Sequence, residues 1–392
     1  MARNRVKGWS SLEDVRAIAE RRLPRPIYDF IASAAGSEVT AKANVEAFGV
    51  PQFLPRIAMN VTSIDTSTTI MGARLSFPLI VAPMGGLGMI DPDAELQLAK
   101  AASDAGVMFC LSSYSARPLE EVAKVCTGPK MFQVYMLADD GLAREYLGLA
   151  KDHGYGAIAI TLDTAAQQVR DAFQRWNVYG MGGGIPLSTK LAFARHPRWI
   201  RRQRLLRGAM TDVERRVRAR GEVIGPTFYE EMIRKDVEWD DIARLAKAWS
   251  GPIAVKGVLN PQDARRAVDS GATAILVCNH GGMVMDGAPA TLDLIAAIRA
   301  EVGDGVEVIQ SGGLRRGAGI AKALALGADA CMTGRPFAYG VAAAGEEGAA
   351  HVLGLLRKDF EDIAKLCGCR SIEELRAMDL HGAPRNANRA TG

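Results

Sequence analysis

At 392 residues, 48% of them hydrophobic, the chain is long enough for one large α/β barrel or two ordinary domains, and general disorder is excluded. Lys+Arg 48 against Asp+Glu 44 leaves a net charge of +4, too small to make nucleic acid the main partner. Six cysteines without regular spacing exclude a disulfide framework, the opening MARNRVKGWSSLEDV lacks the apolar core of a signal peptide, and no apolar run is long enough to cross a bilayer, so a cytoplasmic protein is expected.

Ser10-Ser11-Leu12-Glu13 offers capping residues for a first amphipathic helix that ends near Leu23-Pro24. A second helical stretch is predicted from Ile27 to Phe48. Short apolar runs then alternate with alanine-rich helical patterns. The runs are Leu79 to Met84 (LIVAPM), Val107 to Ser113 (VMFCLSS), Met131 to Met136 (MFQVYM) and Ala157 to Asp163 (AIAITLD). They continue with Pro252 to Val258 (PIAVKGV), Ala274 to His280 (AILVCNH), Val306 to Gly312 (VEVIQSG) and Ala330 to Arg335 (ACMTGR). Runs without polar alternation must be covered on both faces, as in a parallel sheet flanked by helices. Eight such units predict an α/β fold of the closed (β/α)8 TIM-barrel type. The alternative, a doubly wound open sheet, lacks its early glycine fingerprint, since VAPMGGLGM does not open a helix in the required spacing. Residues 1–75 are expected to form a helical extension, 76–366 the barrel and 367–392 a tail.

The interval 164–251 breaks the rhythm after the fourth run. Its middle is crowded with arginine, and HPRWIRRQRLLRGAM can form a basic amphipathic helix with Trp199, Ile200, Leu205 and Leu206 as its apolar part. A solvated insertion over the barrel mouth is the plain expectation. A substrate lid, an anionic-partner site and a membrane-surface contact stay open beside it.

In such a barrel the active site lies at the C-terminal strand ends. The runs place Pro83-Met84-Gly85, Ser112-Ser113, Gln133, Tyr135, Thr161, Asp163, Lys256, Asn279-His280, Ser311-Gly312-Gly313 and Gly334-Arg335 there. Each has a plain explanation alone: His280 as a core histidine, Lys256 as a snorkelling lysine, Tyr135 as an anchor. The repetition over most of the strands favours a site. SGGLRRG and TGRPFAYG, after the last two runs, combine exposed backbone N–H groups, helix starts and the charges of Arg315 and Arg335, which reads as a phosphate site. His280 is followed by two glycines that admit a ligand, Asp163 is the acid to orient its ring, and Lys256 supplies a cation. That set suits flavin chemistry. The five histidines show no ligand spacing, so no metal is expected, and the Cys367-x-Cys369 pair reads as packing.

These residues resemble the FMN-dependent α-hydroxy-acid oxidases and dehydrogenases, a family that includes glycolate oxidase, lactate oxidase, lactate monooxygenase and mandelate dehydrogenase. The likeness runs from LPRPIYDFIASAA through FQVYM, ITLDT, VKGV, NHGG and DGAPAT to GLRRG and GRP. It implies FMN as cofactor, with His280 as base, Asp163 as its carboxylate partner, Tyr135 on the reacting oxygen and Lys256 beside the flavin. It also implies Arg170 near a substrate carboxylate and Tyr114 on the substrate side. Pro83, Met84, Gly85, Ser112, Gln133 and Thr161 would contact the flavin, and Ser311, Gly312, Gly313, Arg315, Gly334 and Arg335 the ribityl phosphate. A small-molecule substrate, oxygen, a quinone or a carrier protein as acceptor, and a homo-oligomer go with the family.

Three departures stand out. Where the family reads HGGR this chain has HGGM, so Met283 replaces the arginine that pairs with a substrate carboxylate. Phe30 stands for the tyrosine that assists it, and Ser311 for an aspartate before the double glycine. Loss of a bidentate arginine removes a charge-assisted pair. The expectation is therefore an FMN oxidoreductase acting on an alcohol or amine carbon of a bulkier or less acidic substrate, with Met283 and Phe30 beside it. The alternatives are a true 2-hydroxy-acid enzyme using Arg170 alone, a non-redox FMN isomerase, and a non-catalytic FMN-binding module.

Overall fold

A computed structural model describes residues 6–178, 184–206, 210–224 and 228–383. Three helices come first: α1 (Leu12–Arg22), α2 (Arg25–Ala32) and α3 (Val39–Glu46). Ser11 and Asp14 close a capping box on α1 as the sequence indicated. The single stretch predicted over Ile27 to Phe48 is broken instead between α2 and α3, where Gly36 and Glu38 adopt positive φ of 51° and 64°. The break has a distant cause. Asp286 accepts the backbone N–H groups of Ser37 and Thr40 (both 2.9 Å), so α3 starts where a carboxylate from the far half of the chain meets its N-terminus.

Three short strands, β1 (Gln52–Phe53) and a hairpin of β2 (Thr68–Ile70) and β3 (Ala73–Leu75), precede the barrel. Its strands are β4 (Leu79–Val81), β5 (Met108–Ser112), β6 (Lys130–Tyr135), β7 (Ala157–Thr161), β8 (Ile253–Val258), β9 (Ala274–Cys278), β10 (Glu307–Ser311) and β11 (Ala330–Thr333). They close in chain order, all parallel, β11 pairing back to β4. The helices between them include α4 (Ala94–Asp104), α5 (Leu119–Val125) and α6 (Asp140–Asp152). The interval after β7 folds into α7 (Asp171–Gln174), α8 (Leu187–Ala194), α9 (Pro197–Leu206), α10 (Asp212–Ala219), α11 (Phe228–Glu231) and α12 (Trp239–Ala248). Next come α13 (Pro261–Asp269), α14 (Ile295–Val302), α15 (Gly317–Ala325), α16 (Arg335–Ala344), α17 (Glu346–Leu366) and α18 (Ile372–Arg376). A final strand, β12 (Leu380–His381), pairs with β1 and ties the tail to the extension.

AIAIT in β7 shows why both faces are apolar. Ala157 and Ala159 point into the barrel with Met108, Met131, Leu276 and Met332, while Ile158 and Ile160 pack outward under the helices. Ile70, Met71 and Leu75 of the hairpin join the inner cluster, so its lower end is plugged and the other end is left for chemistry. α9 forms where the arginine-rich pattern predicted a helix. Trp199 stacks on Phe193 and its Nε1 donates to the Met89 carbonyl at 2.9 Å, while the side chains of Leu205 and Leu206 lie outside the described residues.

Candidate active site

The polar ends of the predicted runs leave the ladders early: β7 stops at Thr161 rather than Asp163, and β9 at Cys278 rather than His280. Those residues peel inward over the rim. Ser112, Gln133 and Thr161 remain in the sheet and buried, Ser112 as register partner to Gln133 and Thr161 two residues further along the neighbouring strand, and form a relay. Ser112 Oγ donates to Gln133 Oε1 (3.0 Å) and Gln133 Nε2 donates to Thr161 Oγ1 (2.9 Å). Thr161 is register partner to Lys256 on β8, which extends the polar strip to a buried ammonium. Burial works against that charge, and neighbouring Cys278 and Asp163 outweigh it, so the Lys256 pKa is raised.

Next to Lys256 the β8–β9 register slips, and Gly257 sits at φ +105°. A Cβ on Gly257 would lie 2.6 Å from Asp163 Cβ and Cγ. Only glycine lets the Asp163 side chain lie against this strand. Asp163 Oδ2 then meets His280 Nδ1 at 2.7 Å. With Nδ1 as donor to the carboxylate, Nε2 is the ring's acceptor nitrogen, a tautomer assigned from this geometry. Burial pushes the Asp163 carboxyl up, but the His280 and Lys256 charges overcome it and hold the pKa at about 2. Lys256 Nζ stands 3.3 Å from Nδ1 and 3.2 Å from Nε2 of the imidazole.

His280 itself has a positive φ of 52°, followed by Gly281 at 63° and Gly282 at 78°. Three successive left-handed residues throw the imidazole off the end of β9. Several bonds hold this turn: His280 N–H to Cys278 Sγ (3.3 Å), Ala35 N–H to the Gly282 carbonyl (2.8 Å) and Arg335 Nη1 to the Gly281 carbonyl (2.8 Å). Asn279 and Asn44 of α3 exchange reciprocal amide bonds of 2.9 Å just below it.

Tyr114 and Tyr135 stack at 4.8 Å on the neighbouring rim, and burial raises both phenol pKa values, so both hydroxyls stay protonated donors at neutral pH. Opposite them, the Arg170 guanidinium lies 5.1 Å from the Phe30 ring centroid and 5.2 Å from that of Phe173, and donates to the Phe30 carbonyl at 2.9 Å. The tip of Phe30 reaches the glycine loop after β4, 2.9 Å from where a Gly86 Cβ would be. Met283 closes the His280 turn, its N–H donating to the His280 carbonyl at 3.2 Å.

Beyond β10 and β11, Gly312 and Gly313 have φ of 131° and 76°. A Cβ on Gly313 would fall 1.9 Å from the Asn44 carbonyl, so α3 is seated directly on it. Arg315 is deeply buried, and that burial together with Arg335 lowers its pKa to about 10. Among the described residues neither arginine makes an ion pair with a carboxylate, and α16 starts at Arg335 without a side-chain cap. Two desolvated cations at an open helix N-terminus suit a dianion. Arg335 also binds the carbonyls of Ile31 (3.1 Å) and Ser33 (3.2 Å), which makes it a brace between the extension and the His280 turn as well as a rim charge.

Every strand-end residue singled out from the sequence thus lies at one end of the barrel. Sequence reasoning missed Gly257, Asn44, Phe173 and Asp286. VKGV gave a signal for the first, as an isolated glycine in a strand marks a bulge.

A family model described as FMN-dependent dehydrogenase matches residues 19–381. Pre-mycofactocin synthase of Mycobacterium tuberculosis is 36% identical over 372 residues, 92% of each chain. L-lactate dehydrogenase of Azorhizobium caulinodans is 35% identical over 380 residues, 96% of this chain and 99% of that one. Among solved structures, (S)-mandelate dehydrogenase, described as a monotopic membrane protein, superposes with a TM-score of 0.88 at 30% identity, covering 96% of this chain and all of that one. Among the described residues no helix is long and apolar enough to cross a membrane. The match over nearly the whole chain, on the same eight-stranded barrel, places this protein in the FMN-dependent dehydrogenase family, as an FMN-dependent oxidoreductase.

Proposed function

We propose that the enzyme oxidises an alcohol or amine carbon, CH–OH or CH–NH, on a substrate bulkier or less acidic than a simple 2-hydroxy acid. One observation carries this reading. The residue that closes the His280 turn is Met283, and the facing wall is Phe30 and Phe173, so the charged grip expected there is reduced to Arg170. Arg170 already gives one N–H to the Phe30 carbonyl and lies against two rings. The relatives include 2-hydroxy-acid enzymes and one, pre-mycofactocin synthase, not named for such an acid.

The residues fit FMN. The Ser112–Gln133–Thr161 relay and Lys256 present donors and acceptors to a flat polar edge, and Pro83, Met84 and Gly85 would meet its face. A Cβ at Gly85 would come 3.1 Å from Tyr114 Cβ, so the backbone after β4 packs closely on Tyr114. Ser311, Gly312, Gly313, Gly334, Arg315 and Arg335 would hold the ribityl phosphate. Bound FMN supplies the acceptor for the hydride. The protein does the rest. His280 takes the substrate proton at Nε2, and Asp163 fixes Nδ1 and stabilises the imidazolium. The Tyr135 hydroxyl donates to the substrate heteroatom, and Lys256 keeps a positive charge at the polar edge of the site.

Anaerobic flavin bleaching tests this across lactate, glycolate and carboxylate-free aryl alcohols and amines. Reduction is expected to be at least about tenfold faster with a carboxylate-free compound, the loss of one charge-assisted pair. Fast reduction by lactate or glycolate would overturn it, and would favour a true 2-hydroxy-acid enzyme gripping the carboxylate through Arg170.

A further inference from the structure

Cys278 is the last residue of β9, and of the six buried cysteines it alone joins neither apolar cluster. A buried cysteine ordinarily packs as a small hydrophobe. Its place in the strand explains the exception. Ala274 and Leu276 point into the barrel and Ile275 and Val277 outward, so the two-residue period turns Cys278 inward, one tier above Leu276. The same count puts Lys256 above Ala254 and Thr161 above Ala159. Cys278 therefore continues the polar tier of Ser112, Gln133, Thr161 and Lys256 up to the foot of His280. Its sulfur serves two groups there. It accepts the His280 N–H at 3.3 Å, a side chain bonding the backbone two residues on, at the first of the three left-handed residues. It also meets the Lys256 ammonium. Burial disfavours that charge, and Cys278 comes first among the groups that outweigh burial, by charge and by hydrogen bond.

These two partners must be kept from closing on each other. Lys256 Nζ stands 3.2 Å from His280 Nε2, the nitrogen that takes the proton, and an ammonium drawn closer would disfavour the imidazolium. An acceptor in the floor holds the ammonium below the ring, and the same acceptor fixes the turn that aims the ring at Asp163. We infer that Cys278 is a positioning residue: its sulfur ties the Lys256 ammonium and the His280 turn to the end of β9, and so sets the proton affinity of the base. This inference rests on the reading of His280 as the base. The other titratable or charged groups packed around the pair are Asp163 after β7, Tyr135 of β6, Cys110 of β5 and Arg335 of α16.

The test compares wild type, C278S, C278A and C278V as FMN-loaded full chains, using the substrate that reduces the enzyme fastest and circular dichroism to show that each variant folds. Serine keeps an acceptor on the same Cβ, whereas alanine and valine remove it, valine with the volume filled. C278A and C278V should reduce the flavin about threefold to tenfold more slowly, the contribution of one neutral hydrogen bond. The acidic limb of the kcat/KM profile should move down by about half a pH unit, because the freed ammonium disfavours the imidazolium. The flavin midpoint potential should fall as the ammonium leaves the polar edge of the site. C278S should restore all three readouts. A wild-type pH limb and potential in C278A and C278V would overturn the inference, and so would a C278S enzyme as impaired as C278A. H280N separates the two failures. If it reduces the flavin as fast as wild type, His280 is not the base, and the underlying reading falls with the inference. If H280N is inactive while C278A matches wild type, only the role of Cys278 is lost.

Discussion

Replacing Gly257 by alanine tests the central geometry of the site. The new methyl would sit 2.6 Å from Asp163 Cβ and Cγ and 2.9 Å from Oδ1, at a φ of +105° that L-residues rarely adopt. The backbone conformation alone costs about 1–3 kcal/mol. Restoring a normal carbon–carbon contact means moving the Asp163 side chain by about 1 Å. A shift of that size breaks the 2.7 Å bond to His280 Nδ1. A charge-assisted bond of this kind contributes about 1.5–3 kcal/mol, so flavin reduction should slow by roughly 10- to 100-fold. The assay is anaerobic stopped-flow bleaching with whichever substrate reduces the enzyme fastest, alongside flavin content, which should hold because Gly257 lies far in sequence from the phosphate-end glycines. A double-mutant cycle with D163N sharpens it. If Gly257 acts through Asp163, the double variant is no slower than D163N alone. G257A within twofold of wild type, or losses that add with D163N, would refute the reasoning.

Restoring the missing arginine with M283R should raise kcat/KM for lactate or glycolate by about 10- to 100-fold, the value of one bidentate pair, as read by steady-state kinetics. Glu95 of α4 is buried with Oε1 accepting from Ala116 N–H (2.8 Å), and burial raises its pKa to about 7. Its folded form therefore keeps a proton that the unfolded chain releases above the ordinary value of 4.5, so stability falls as pH rises from there to about 7, by about 3 kcal/mol. E95Q should remove most of that slope, measured as urea midpoints at pH 5 and pH 8. N44A leaves the buried Asn279 amide without its reciprocal partner and should lower the urea midpoint by the equivalent of about 1–3 kcal/mol.

The strand ends were legible because a parallel barrel converts sequence order into spatial order. Each apolar run ends at the same rim, so Ser112, Gln133, Thr161, Asp163, Lys256 and His280 could be gathered without knowing any contact between them. What the sequence hid are contacts between parts of the chain more than two hundred residues apart. Asn44 and Asn279 are 235 positions apart, and Asp286 caps α3 from 246 positions away. Local periodicity carries no trace of either, which is why one helix was expected over Ile27 to Phe48. Arg335 was assigned to phosphate by its motif, and the motif says nothing of the Ile31, Ser33 and Gly281 carbonyls its guanidinium also binds.

Those distant contacts converge on one place. His280 is held in a left-handed conformation that costs a non-glycine residue about 1–3 kcal/mol, and such strain persists only where surroundings over-determine it. The surroundings here belong mostly to the N-terminal extension: Ala35 holds the Gly282 carbonyl, α3 supplies Asn44, and the end of α2 shares Arg335 with Gly281. A Cβ on Gly282 would lie 2.7 Å from the Ala41 backbone nitrogen, so α3 is pressed against the turn itself. The barrel alone brings His280 to the rim. It is the extension that keeps the imidazole aimed across at Asp163, and the same extension carries Phe30, whose carbonyl accepts from Arg170. One segment thus holds the His280 turn and carries Phe30 as well, so the placement of the imidazole depends on helices outside the barrel.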